Sequence, residues 1–63
     1  MYYITIKKKD QKRGHKQYFS DEIQARAQFN VLSTIGVEGE TLTLYKENTK
    51  DYFNPIRIEK IKF

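Results

Sequence analysis

Only one stretch of this 63-residue chain repeats its apolar side chains at a helical period, and in the other apolar stretches they alternate. In "SDEIQARAQFNVLSTIG", residues 20–36, Ala25, Phe29 and Leu32 fall at i, i+4 and i+7. Ile23, Ala27 and Val31 form a second stripe at i, i+4 and i+8, both spacings being those of a helix face. The flanks keep the period of two of half-buried strands. In "YYITIKKK", Tyr2, Ile4 and Ile6 alternate with Tyr3, Thr5 and Lys7, and in "TLTLYK", Leu42 and Leu44 alternate with Thr41, Thr43 and Tyr45. One amphipathic helix between two pairs of strands can bury both kinds of apolar face by lying on the sheet they form. The fold expected is α+β: a single antiparallel sheet of three to four strands, in ββαββ order, with one helix packed on one face.

Local signals set the boundaries. Asp10 and Gly14 are turn formers, so residues 2–9 and 15–19 read as a hairpin. Ser20 is placed to cap the helix, Asp21 and Glu22 suit its positive end, and Gly36 stands as a C′ residue after Ile35. The two helix stripes together exceed what one small sheet face covers. Either the sheet curls around the helix, the preferred reading, or the second stripe meets another chain. In "IRIEKIKF" the apolar phase slips by one at Glu59 and Lys60, as at a β-bulge or in a strand covered on both faces. The segment from Glu47 to Pro55 reads as the least organised, with Tyr52 and Phe53 left to fold back on the core or to meet a partner.

A chain this short makes one domain, residues 1–63, with one small core. It has no cysteine and a single histidine, so neither disulfides nor a zinc-type site can support that core. "MYYITIKKKD" has no basic segment ahead of an apolar run, and no stretch approaches the roughly 20 apolar residues of a membrane span. The expectation is a soluble, cytoplasmic protein with no membrane partner. Its charge is uneven. Residues 1–19 set six basic groups against one acid, for +5, while residues 20–63 set six against seven, for −1. "KKKDQKRGHK", residues 7–16, holds most of the excess, and a local basic cluster draws polyanions better than dispersed charge.

Catalysis is poorly supplied. His15 lies among Lys12, Arg13 and Lys16 with no nucleophile and orienting acid in a triad pattern around it, and no serine has a partner pattern that activates it. Glu38 and Glu40, beside Gly39, read as solvated turn charges. No carboxylate spacing matches a calcium loop. The chain reads as no enzyme, with no cofactor, catalytic residue or metal site. "GVEG" has the GxxG spacing of a KH-type loop but carries a glutamate inside it, and "RGHKQYF" falls short of an RNP motif.

One constellation remains. If Ile4 and Ile6 face the helix, then Tyr3, Thr5, Lys7 and Lys9 share the opposite face, as do Thr41, Thr43 and Tyr45, and Arg57 belongs with them. Tyrosines among basic groups on an open sheet can stack bases and hold phosphates. The alternative is ordinary cross-strand pairing on a wet face, and the choice turns on whether Tyr3 and Tyr45 are neighbours. The candidate nucleic-acid contacts are Lys7, Lys8, Lys9, Lys12, Arg13 and Lys16 for the backbone, with Tyr3 and Tyr45 as stacking partners.

An aromatic before a capping serine, an Ala-x-x-x-Phe-x-x-Leu helix, a glycine turn and a Leu-x-Leu-Tyr-Lys strand run through "YFSDEIQARAQFNVLSTIGVEGETLTLYKEN". In style this half of the chain resembles the small orphan proteins of phages and mobile elements of Gram-positive bacteria. The resemblance implies a binding role in a host cell and assigns no functional residue. Nucleic-acid binding through the basic turn and sheet face is ranked first. A protein-binding inhibitor or regulator of a host protein is the alternative, and a homodimer through the helix is a third reading.

Overall fold

A computed structural model describes residues 1–10 and 14–63. The elements are β1 (Tyr2–Lys8), β2 (His15–Phe19), α1 (Glu22–Thr34), β3 (Glu40–Lys46) and β4 (Ile56–Lys62). The strands form one antiparallel sheet of four in the order β2-β1-β3-β4, and α1 packs against it. Both β2 and β3 are antiparallel to β1, so they run parallel to each other on either side of it. The helix is the crossover that joins them. The molecule measures 15 Å in its thinnest direction, the depth of one helix on one sheet.

The core lies between these layers. Ile4 of β1, Leu42 and Leu44 of β3, and Ala25 and Phe29 of α1 are all buried, with Tyr2, Ile6, Phe19, Leu32, Ile58, Ile61 and Phe63 packed around them. Phe29 is the largest side chain fully removed from water. Ala25 lets the helix backbone come close to the sheet, and Phe29 fills the space one turn further on.

Three local expectations are corrected. The N-cap is Asp21, not Ser20: its backbone is extended and its carboxylate accepts a hydrogen bond of 2.9 Å from the Ile23 N–H. A carboxylate here meets both an orphan amide and the positive helix end, which a hydroxyl cannot match. The sheet does not curl around the helix, because Ile23 is 77% and Val31 55% exposed and Ala27 is exposed between them. A four-stranded sheet is wide enough for the Ala25 stripe alone. Gly36 follows the C-cap residue Ile35, yet its backbone is not left-handed. A Cβ there would run into the Phe63 ring, so glycine is present to admit that ring. The only positive-φ glycine described is Gly39, at +92°, in the turn before β3.

The phase slip in the last strand is a bulge, one residue earlier than expected. Leu44 pairs with Glu59 but Tyr45 pairs with Arg57, which leaves Ile58 as an extra residue in β4. The bulge lets Ile58 and Ile61 both reach the core although their spacing is odd. The segment expected to be least organised forms no strand or helix and is shaped by side-chain turns: Asn48 Oδ1 accepts from the Lys50 N–H, and the Asp51 carboxylate accepts from the Phe53 N–H and from Asn54 Nδ2. It holds Phe53 95% exposed.

Candidate nucleic-acid interface

The face of the sheet away from α1 is set by register. Tyr3 pairs with Tyr18 on β2 and with Tyr45 on β3, and Tyr45 pairs with Arg57 on β4. One row across all four strands therefore reads Tyr18, Tyr3, Tyr45, Arg57. The next reads Lys16, Thr5, Thr43, Lys60, and the third carries Lys7, Thr41 and Lys62. Lys9 follows β1 in the same phase. No aspartate or glutamate occupies a paired position in these rows.

The tyrosines form a stack. Tyr3 and Tyr45 lie with ring centroids 5.1 Å apart at 24°, and Tyr3 and Tyr18 lie 5.5 Å apart at 44°, both within the range of favourable aromatic pairs. Lys16 Nζ sits 5.3 Å from the Tyr3 centroid, at cation–π distance. Enclosed in this way, Tyr3 is 8% exposed while Tyr18 keeps 53%. Tyr3 thus locks the outer rings in place, and Tyr18 offers the most open ring surface. Burial pushes the Tyr3 phenol pKa up, and repulsion from Tyr45, Tyr18 and the Glu47 carboxylate adds to the shift.

Beside the rings lies a shallow depression of about 380 Å³, lined by Lys7, Lys8, Lys9, Thr41, Thr43, Tyr45, Lys60 and Lys62. Of the residues expected at the site, Tyr3, Tyr45, Lys7, Lys9 and Lys16 come together on this face. Lys8 pairs with Glu40 and takes the backbone phase of Ile4 and Ile6, yet at the strand end it contributes to the lining of the same depression. His15 is likewise opposite Ile6, as the first residue of β2 rather than part of a turn. Lys12 and Arg13 lie outside the described residues. Arg57 joins the face as the alternation implies.

Three residues of the face were missed by sequence reasoning. Tyr18 does not follow from the sequence, because a hairpin symmetric about residues 10–14 sets it opposite Ile6, on the helix side, and only the observed register of Tyr3 with Tyr18 brings it to this face. Lys60 and Lys62 follow from carrying the β4 phase slip through to its consequence, since the bulge returns both to the phase of Arg57. Comparison with protein-family models, curated proteins and solved structures gives no significant match. Among the described residues no helix is long and apolar enough to cross a membrane.

Proposed function

We propose that this chain is a small non-enzymatic binding module that takes nucleic acid on the open face of its sheet and the adjoining basic hairpin, in the cytoplasm of a host cell carrying a phage or mobile element. The observation that carries this reading is the stacking of Tyr3 on Tyr45 within a face whose charged strand positions are all basic. A solvated face serving only solubility has no need of an ordered aromatic stack, and stacked rings with flanking cations are the working parts of sequence-tolerant nucleic-acid surfaces. Salt titration tests it. With six phosphates held by Lys7, Lys9, Lys16, Arg57, Lys60 and Lys62, log K falls against log salt with a slope of about −5 on duplex and about −4 on a single strand. A flat profile, or no binding at low salt, overturns the reading.

The uncovered helix stripe of Ile23, Ala27 and Val31 favours a second reading, in which the chain inhibits or redirects a host protein or pairs with a second copy of itself. A stoichiometric protein partner that survives nuclease and high salt, lost on Ile23→Lys, is the result that favours it.

A further inference from the structure

Resting on the nucleic-acid reading, we infer that the ligand of this face is a single-stranded polynucleotide rather than a duplex, lying across the β-strands with its bases turned to the tyrosine row and its backbone over the lysine rows. The face segregates its chemistry. Tyr18, Tyr3 and Tyr45 occupy one row, closed by Arg57 at the β4 end, and the cations Lys16, Lys60, Lys7 and Lys62 occupy the two rows beyond it. Rows along a strand repeat every two residues, about 6.6–6.8 Å apart, so the strand positions that carry rings and those that carry lysines are separated by roughly the reach of one nucleotide from base to phosphate, with Lys16 reaching back over the Tyr3 ring. A strand running parallel to the rows meets both at once.

A duplex cannot use this arrangement. Its base faces are already stacked on one another, and it presents only phosphates and groove edges. A groove admits a helix or a two-stranded ribbon set into it, whereas α1 lies on the far side of the sheet from these rows and the rows themselves form a broad four-stranded surface. The ring stack, by contrast, ends in open surface at Tyr18 on the β2 edge, 53% exposed, and in Tyr45 beside Arg57. Each end can be extended by one unpaired base. Tyr3, held between the two, gives the stack its fixed geometry before any ligand arrives.

Fluorescence anisotropy with labelled oligothymidine, oligouridine and a duplex of equal length, each of about 12 nucleotides or base pairs, tests the inference on the full chain. Both single strands are expected to bind at least about tenfold more tightly than the duplex. Tyr18→Ala should weaken single-strand binding by about 5- to 150-fold, the range that one stacked base accounts for, and leave the salt slope unchanged. Tyr18→Phe should retain binding, which separates lost stacking from lost folding. Lys62→Ala should reduce the single-strand slope by about 0.7. Duplex bound as tightly as single strands, or Tyr18→Ala without effect beside an intact salt slope, overturns this inference while the nucleic-acid reading stands. Absence of binding to all three probes at low salt overturns both.

Discussion

Tyr3 is the residue on which the open face depends, and its protonation carries a measurable signature. Its phenol holds its proton to higher pH in the folded chain than the ordinary value of about 10 in the unfolded one. The folded state therefore binds more protons above that value, and stability falls as pH rises. The contribution is complete below the unfolded pKa and is lost as pH climbs through the raised one. Ultraviolet titration of the five tyrosines should show one ionising late, and Tyr3→Phe should remove the late step. Phe29 plays the equivalent part in the core. Phe29→Ala should cost about 3–5 kcal/mol, much of the total available to a small domain at about 0.05–0.15 kcal/mol per residue, so thermal denaturation should find the variant largely unfolded. Gly36→Ala is milder, because the Phe63 ring it meets can turn aside, at the lower end of about 1–3 kcal/mol. Shortening the ring with Phe63→Leu should recover part of that loss.

At the scale of elements, the helix shows how close and how incomplete a local reading is. Its existence and its Ala25, Phe29 and Leu32 stripe are legible from spacing alone, since a helical period needs no knowledge of what it packs against. Its first residue is not, because Ser20 and Asp21 are both good caps and only the path of the chain leaving β2 selects between them. Urea denaturation should separate the two: Asp21→Ala should cost about 0.5–2 kcal/mol, whereas Ser20→Ala, which removes no bond to the helix, should change stability by less than about 0.5 kcal/mol. The fourth strand has the same character. A phase slip is visible in "IRIEKIKF", yet whether it means a bulge or two covered faces depends on the partner strand. Pairing with β3 makes it a bulge at Ile58, and Lys60 and Lys62 reach the open face as a result. The loop of residues 47–55 forms no strand or helix, in keeping with its sequence, and the turns within it come from Asn48 and Asp51 bonding to neighbouring backbone amides, a local device that hydropathy does not register.

At the scale of the whole molecule, like charges gathered on one face repel one another, so a polyanion that neutralises them should stabilise the fold. Oligothymidine in excess should raise the melting temperature by mass action, and the rise should shrink as salt increases. The sequence by itself determined the element order, the helix, the core-facing members of β1 and β3, and the phase that sets Tyr3, Lys7, Tyr45 and Arg57 away from the helix. These properties follow from periods of 2 and 3.6, which each segment carries within itself. Only the tertiary structure decided which strands are neighbours. The crossover of α1 places β3 beside β1, and that contact turns Tyr3 and Tyr45 from two residues of like phase into a stack at 5.1 Å. Pairing order is fixed by how a whole chain closes over one core, a property that no segment holds alone.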